Sequence, residues 1–331
     1  MSELRQDLVS GDWIIVAPER LSRPHDFVSD KKPRKKTPKN KCPFENLGQA
    51  ESWAPILSFP NKKNWEIIII PNKYPALVHS EACATSFGRG PYKLCAGVGY
   101  HDLVITRDHD KNFADLSAGR ALDLMKVFQK RYKAVSVDPC ILYTSAFFNW
   151  GPKAGASIYH PHYQVVSLPI VPPDVQHSLT GSDKYFKKHR RCAHCEMLKY
   201  ELKEKVRIIE ENAGAVAFAP FFSRQPFEVR IFTKAHLPHF EKTPASDLKY
   251  VTLIMQNAIR RIRKHLNDAD FNFFVHTAPF RDKGKYDHYH WHIEVIPKIA
   301  ITAGFELSTG VEINVIDPNR AAEVLRRKVS G

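Results

Sequence analysis

A pattern of chemically active residues occurs twice along this 331-residue chain, in the same order. Each half carries a cysteine-led pair, a strand-like segment ending in Thr-x-x-His, a long amphipathic segment, and then His-x-His-x-Gln or His-x-His-x-Glu. His109 and His236 are 127 positions apart, and His162 and His292 are 130 positions apart. Such a near-constant spacing indicates an internal duplication. We therefore expect two similar halves, residues 1–180 and residues 181–331.

Each half combines several strand signals with one helix signal. Apolar residues at helical spacing predict helices over residues 116–135 and residues 247–266. β-Branched and aromatic runs predict strands at residues 12–17, 65–70, 100–106, 214–219, 226–232 and 273–276. The fold class that follows is α+β, with an antiparallel sheet and a packed helix in each half.

Composition argues for a globular protein without a membrane segment. Hydrophobic residues make up 43% of the chain and charged residues 25%, which is ordinary for a soluble domain. No apolar run approaches the roughly 18 residues that a membrane span needs. The first residues contain no apolar signal core. We expect a cytoplasmic protein with no membrane partner.

The net charge of +14 raises the question of a nucleic-acid partner. Half of this excess lies in residues 31–41, which hold seven cations, two prolines and no acidic residue. That composition predicts a solvated loop. Since no RNA-recognition or helix-turn-helix motif accompanies the loop, a nucleic-acid partner is not expected.

The cysteines favour metal binding over disulfides. Six scattered cysteines do not form a disulfide framework, but one tight Cys-x-x-Cys pair has metal-ligand spacing. With two histidines it makes a closed S2N2 set that favours a structural Zn²⁺. The predicted ligands of this second-half site are Cys192, Cys195, His236 and His290. His239 and His292 are alternatives for the histidine positions, and the other three cysteines outside the metal sets have structural roles.

The repeat predicts an equivalent metal site in the first half. Its ligands would be Cys42, Glu45, His109 and His160. Glu45 stands where the second half has a cysteine, and a carboxylate oxygen can also bind zinc. The alternative is that this site has lost its metal. The predicted cofactor is thus one or two structural Zn²⁺ ions.

The segment Tyr159-His-Pro-His-Tyr-Gln-Val-Val-Ser-Leu-Pro169 predicts a strand that carries candidate catalytic side chains. Residues two apart share a face of a strand, so His162 and Gln164 would lie together while Tyr163 points the other way. A neutral imidazole can attack phosphorus without a metal, and a glutamine amide can hold a phosphoryl oxygen. The small residues Gly155-Ala-Ser157 offer backbone N–H groups to phosphates.

The His160-Pro-His-Tyr-Gln164 segment, preceded by Asn149 and by Gly155-Ala-Ser157, resembles the active site of galactose-1-phosphate uridylyltransferases. These enzymes belong to the histidine-triad superfamily, and the resemblance runs from about residue 8 to about residue 328. It implies two fused histidine-triad-like halves, of which only the first is catalytic. It also implies ping-pong nucleotidyl transfer through a covalent adduct on His162.

The resemblance assigns roles to further residues. It implies that Ser157 and Gln164 assist catalysis. It implies that the nucleotide and its phosphates contact Arg20, Arg23, Asn72, Asn149, Gly155, Ser157 and Gln164. It implies that a late loop with Gly304, Phe305 and Glu306 contacts the sugar phosphate. A homodimer is expected on the same basis.

The substrates stay open at this stage. The donor would be UDP-glucose, UDP-galactose or ADP-glucose, and the acceptor a hexose 1-phosphate or inorganic phosphate. Lys73 replaces the acid that uridylyltransferases carry after the asparagine at this position, and Gly-Phe-Glu-Leu-Ser-Thr-Gly310 looks like the ADP-glucose phosphorylase branch. The main prediction is a uridylyltransferase, the alternative enzyme is a nucleotide-sugar or dinucleotide phosphorylase, and the non-enzyme alternative is a nucleotide- or RNA-binding protein.

Overall fold

The computed structural model describes residues 1–20, 34–45, 47, 54–281 and 283–327. Its strands are β1 (Glu3–Gln6), β2 (Trp13–Val16), β3 (Leu57–Phe59), β4 (Ile67–Pro71), β5 (Ser86–Arg89), β6 (Tyr92–Cys95), β7 (Tyr100–Thr106), β8 (Tyr143–Trp150), β9 (His162–Leu168), β10 (Ile208–Glu211), β11 (Ala215–Phe218), β12 (Val229–Thr233), β13 (Phe271–His276), β14 (His292–Pro297) and β15 (Ile313–Asn314). Its α-helices are α1 (Ala118–Val135), α2 (Pro173–His189), α3 (Ala193–Glu204), α4 (Ala245–His265), α5 (Gly304–Thr309) and α6 (Pro318–Arg326).

The two halves form one ten-stranded antiparallel sheet. Its order is β10-β11-β12-β14-β13-β8-β9-β7-β4-β3. The strand order is the same in both halves when it is counted outward from the centre. It runs β8, β9, β7, β4, β3 in the first half and β13, β14, β12, β11, β10 in the second half. The halves meet where β8 pairs with β13, from Phe271 opposite Trp150 to Phe274 opposite Phe147. The duplication predicted from the spacing is therefore confirmed, and the two sheets are continuous.

One core covers a single face of this sheet. Helices α1 and α4 contribute apolar side chains such as Leu124, Phe128 and Ile259, which are fully buried with the inward residues of both halves. Both helices were predicted from their apolar spacing. Ser117 caps α1, because its side chain accepts a hydrogen bond from the Arg120 N–H. The opposite face of the sheet carries the histidine pairs.

Two buried glutamines join the halves reciprocally. Gln129 on α1 donates both amide protons to the carbonyls of Phe240 and Thr243, each at 3.0 Å. Gln256 on α4, which is 127 positions later, donates to the carbonyls of Phe113 and Leu116 at 2.9 and 3.0 Å. Each helix thus satisfies backbone acceptors of the other half, as the pseudo-symmetry of the fold requires.

The chain ends also cross between the halves. Strand β15 pairs with β2 in parallel, and Ile14 and Val16 pack with α3 residues of the second half. The predicted division between residues 180 and 181 falls inside α2. Gly181 lies against the β1–β2 connection, where a Cβ would come within 1.9 Å of the Val9 carbonyl oxygen. The division into residues 1–180 and 181–331 remains a prediction.

Two expectations were wrong. Cys83 and Cys140 form a disulfide across 57 residues, although the scattered cysteines gave no pairing signal. The basic segment is not wholly solvated, because the Arg34 side chain is only 15% exposed and pairs with Asp268 and Asp270. Residues 31–33 of that segment lie outside the described residues. None of the described helices is long and apolar enough to cross a membrane.

Candidate active site and metal centres

Strand β9 positions the predicted nucleophile. Tyr163 and Val165 enter the helix-covered core, whereas His162 lies on the opposite face, its ring 5.3 Å from that of Phe44. This alternation agrees with the strand prediction. His160 lies two residues before the start of the strand, and its carbonyl oxygen lies beside the His162 ring.

The backbone fixes the tautomer of His162. Its Nδ1–H donates to the His160 carbonyl oxygen at 2.9 Å. The proton of the neutral ring is therefore on Nδ1, and the lone pair is on Nε2. Burial lowers the pKa of His162, so the ring is neutral at pH 7. A neutral ring with a free Nε2 lone pair is the form that attacks phosphorus.

Gln164 connects this nucleophile to a cavity. Its Oε1 lies 2.9 Å from Nε2 of His101 on the neighbouring strand β7, and Asn72 Nδ2 lies 3.1 Å from the same nitrogen. Asn72 and His101 line a cavity of about 330 Å³ together with Leu77, His79, Tyr100 and Arg131. Sequence reasoning missed His101. The available signal was its strand position on the same face as the predicted His-x-His.

The loop before the nucleophile is held in a conformation that needs glycine. Gly155 has φ +88°, and a Cβ there would lie 3.7 Å from the Asn149 side chain. Asn149 accepts from Asn272 of the second half at 2.8 Å, and Asn272 also donates to the Ala154 carbonyl at 2.9 Å. Gly155 and Ser157 are exposed, so their polar atoms face solvent beside β9.

The remaining predicted contacts are spread over the surface. Arg20 is exposed at the end of a short 3₁₀ turn, Pro18–Arg20, and Arg23 lies outside the described residues. The predicted sugar-phosphate loop is the short helix α5, in which Phe305 is 46% exposed. Glu306 accepts from the Ala303 N–H at 3.1 Å, which closes the start of this helix. Their roles stay predictions.

The four predicted ligands of the first metal site converge. His109 Nδ1 lies 2.9 Å from Glu45 Oε1 and 3.2 Å from His160 Nδ1. Cys42 Sγ lies 3.5 Å from the same His160 nitrogen. Both rings bond outward through Nε2 at 2.7 Å, to the carbonyls of Thr37 and Thr106. Outer hydrogen bonds of this kind orient metal-binding imidazoles, so the set fits a tetrahedral ion.

The second site is assembled in part. Cys192 caps α3 and Cys195 lies in its first turn, so the pair comes from a helix start. Ligand atoms of Cys192, Cys195 and His236 lie within 4.8 Å of one another. His290 directs Nδ1 towards Cys195 Sγ at 3.7 Å, while its Nε2 bonds to Thr233 at 2.8 Å. Two thiols and two imidazoles are a donor set suited to zinc.

The second half also repeats the His-x-His geometry, but an ion-pair network takes the place of Gln164, beside a cavity of about 150 Å³. His292 Nδ1 bonds to the His290 carbonyl at 3.2 Å, as in the first half. Glu294, in the position of Gln164, pairs with Arg230 at 3.1 Å and with Arg224 at 3.2 Å. His292 Nε2 is 3.5 Å from the Glu294 carboxylate, and burial lowers the pKa of His292 to about 3. The residues around His292 are already paired with one another.

The chain resembles known proteins over its whole length. Residues 93–330 match a family model described as a domain of unknown function, DUF4921. An ADP-glucose phosphorylase of Arabidopsis thaliana is 35% identical, over 98% of this chain and 92% of that protein. A galactose-1-phosphate uridylyltransferase of Thermotoga maritima is 25% identical, over 98% of each chain.

Solved structures give the same relationship. The crystal structure of an Arabidopsis thaliana ADP-glucose phosphorylase with bound ADP-glucose superposes with a TM-score of 0.83 at 29% identity, over 100% of both chains. A uridylyltransferase structure superposes with a TM-score of 0.75, over 98% of each chain, and at 24% identity it supports the fold alone. The chain belongs to the galactose-1-phosphate uridylyltransferase family of nucleotidyltransferases, as its active-site segment indicates.

Proposed function

We propose that this protein is a nucleotide-sugar phosphorylase that transfers AMP from ADP-glucose to inorganic phosphate. The observation that carries the chemistry is His162, with its proton on Nδ1, its Nε2 lone pair free and Gln164 beside it. The comparison that supports the donor is the 35% identity to an ADP-glucose phosphorylase, against 25% to the Thermotoga uridylyltransferase.

The first step forms a covalent adduct. The Nε2 lone pair of His162 attacks the α-phosphorus of ADP-glucose, and the bond from that phosphorus to the bridging oxygen breaks. Glucose 1-phosphate leaves with the electron pair. A sugar phosphate is a stable anion, so it needs no acidic proton donor. Gln164 suits this reaction, since an amide donates hydrogen bonds without giving up a proton.

The second step regenerates the histidine. An oxygen of inorganic phosphate attacks the same phosphorus, the phosphorus–nitrogen bond breaks, and ADP is released. The net reaction converts ADP-glucose and phosphate into ADP and glucose 1-phosphate. Gln164, Ser157 and the loop N–H groups supply hydrogen bonds to the equatorial oxygens, on which charge collects in both steps.

Zinc would have a structural role in this scheme. Cys42, Glu45, His109 and His160 would hold one ion, and the Cys-x-x-Cys site a second. A bound ion would fix the His160 backbone, whose carbonyl sets the tautomer of His162. A closed set of four protein ligands leaves no coordination position for substrate. By family resemblance we also expect a homodimer, and from the sequence we expect a cytoplasmic location.

The second candidate function is transfer of UMP between UDP-glucose and a hexose 1-phosphate. The match to the Thermotoga uridylyltransferase over 98% of both chains favours it. Lys73 argues against it, because the uridylyltransferase pattern has an acid there. In this chain the Lys73 ammonium lies 5.7 Å from the ring of Tyr74.

Intact mass separates the candidates. The protein would be mixed with ADP-glucose or UDP-glucose, and His162→Ala would be run beside it. We expect one AMP adduct on the wild type only, and its loss with release of ADP when phosphate is added. A UMP adduct that is discharged by a hexose 1-phosphate would favour the uridylyltransferase. An AMP adduct on His162→Ala, or no adduct from either donor, would refute His162 nucleophilic catalysis.

A further inference from the structure

We propose that His101 is a positioning residue, which orients the amide of Gln164 so that its N–H groups face the transferred phosphoryl group. The inference deepens the proposed function and rests on it, because it assigns a residue to the same nucleotidyl transfer. His101 lies on β7, beside β9, with its side chain between the cavity and Gln164.

The backbone decides which nitrogen of His101 carries the proton. The Ala76 N–H points at Nδ1 of the ring at 3.1 Å. A backbone N–H can only donate, so Nδ1 must be the unprotonated acceptor. The neutral ring therefore carries its proton on Nε2. That N–H donates to Gln164 Oε1 at 2.9 Å.

This bond fixes the orientation of an otherwise ambiguous group. The oxygen and nitrogen of a glutamine amide occupy nearly the same space, so packing alone does not select between the two orientations. A rotated amide would set the Gln164 NH2 against the His101 N–H, and the bond would be lost. With Oε1 held by His101, the two amide protons point away from His101, on the face of β9 that also carries His162.

Asn72 is oriented by the same arrangement. Its Oδ1 accepts from the Tyr74 N–H at 3.0 Å, which turns its Nδ2 towards His101. That nitrogen lies 3.1 Å from His101 Nε2 and cannot bond to it, since both are donors in this tautomer. The amide protons of Asn72 are then available to acceptors of a ligand. His101 thus lies between two amides: Asn72 lines the cavity, and Gln164 has its donor end on the face of β9 that carries His162.

Neighbouring contacts hold His101 in place. The next residue, Asp102, is buried and pairs with Arg131 at 2.6 Å. Arg131 also lies 4.7 Å from the ring of Tyr100, the preceding residue. These contacts fix the backbone on both sides of His101, and the Ala76 N–H holds the ring itself, so the ring can transmit its orientation to Gln164. A ring on a mobile loop could not do so.

Two substitutions test the two hydrogen bonds of the His101 ring one at a time. In His101→Asn the side-chain oxygen lies near the position of Nδ1 and can still accept from Ala76, but no donor reaches Gln164. In His101→Gln the amide nitrogen lies near the position of Nε2 and can still donate to Gln164. We expect His101→Asn to slow formation of the His162 adduct about 10- to 100-fold in single turnover. We expect His101→Gln to stay within about threefold of wild type.

A double-mutant cycle tests whether His101 acts through Gln164. The adduct rate of Gln164→Ala would be measured with and without His101→Asn, beside thermal unfolding of each variant. We expect His101→Asn to cause no further loss in the Gln164→Ala background. Additive losses in the cycle would overturn the positioning role, and so would equal impairment of His101→Asn and His101→Gln. In either case an adduct on the wild type would still support the proposed function. No adduct on the wild type with ADP-glucose or UDP-glucose would overturn both.

Discussion

The reciprocal glutamines allow a quantitative test of how the two halves are joined. In Gln129→Met the side chain keeps its length but loses both donors. The Thr243 carbonyl then loses its Gln129 partner, which costs about 1–3 kcal/mol. The Phe240 carbonyl still accepts from the Thr243 N–H at 3.1 Å, so its loss is about 1 kcal/mol. The free energy of unfolding should therefore fall by about 2–4 kcal/mol.

The counterpart on α4 allows the same test. Gln256 makes the equivalent two bonds, but its Oε1 is buried with no hydrogen-bond partner among the described residues. Gln256→Met removes that unsatisfied oxygen and so recovers about 1 kcal/mol of the loss. The Phe113 and Leu116 carbonyls would each lose the Gln256 donor, so the net fall in the free energy of unfolding is about 1–5 kcal/mol, and both variants should be less stable than the wild type.

Equilibrium unfolding in urea is the assay, with free energies from linear extrapolation. Gln176→Met is the matched control, since Gln176 is exposed on α2 and should change stability by less than about 0.5 kcal/mol. A Gln129→Met midpoint equal to that of the control would refute the reasoning.

Two further predictions concern the metal sites and the disulfide. We expect the purified protein to contain zinc. Cys195→Ser should lose the ion of the second half and still form the His162 adduct, whereas Glu45→Ala should lose the other ion and form the adduct more slowly. Metal analysis and intact mass would be measured for each variant, and zinc contents equal to that of the wild type would contradict the assignment. We expect Cys83→Ser to lower the free energy of unfolding by about 2–4 kcal/mol and to weaken nucleotide-sugar binding, because Val78 and His79 line the cavity next to the disulfide. Cys95→Ser, at a free exposed thiol, is the control, and equal stability of the two variants would contradict the prediction.

Much of the architecture could be predicted from the spacing of residues in the sequence. The offsets of 127 and 130 positions predicted matched halves because each half needs its own strands in the same order to bury its helix. The shared order of the repeat selected Glu45 as a metal ligand, although no cysteine stands there. The structure brings Glu45 together with Cys42, His109 and His160.

Other features depend on distances in space that a linear pattern does not encode. The pairing of β8 with β13 joins strands more than 120 positions apart, and either strand could have remained an edge. Arg34 pairs with Asp268, which lies 234 positions later in the chain. The composition of the basic segment alone predicted only a solvated loop. Helix α2 escaped notice because its buried residues are few, with Val175 and Leu179 as its only large apolar ones in the core.

The contrast between Gln164 and Glu294 gives a physical reason for placing the proposed reaction in the first half. Both lie two residues after a histidine whose Nδ1 bonds to the backbone, at 2.9 Å in one half and 3.2 Å in the other. A buried carboxylate must be neutralised by cations. Although burial opposes ionisation, Arg230, His276 and Arg224 hold the pKa of Glu294 well below its usual range.

That neutralisation changes the chemistry of the second site. Glu294 draws two guanidinium groups and the Nε2 side of His292 to itself, and a charged carboxylate would also repel a phosphate. A glutamine needs no counter-ion. Gln164 is satisfied by one neutral ring, His101, and keeps its two donors for the substrate. The difference between an amide and a carboxylate at one strand position therefore separates the proposed phosphoryl site from a buried ion-pair network within the same duplicated fold.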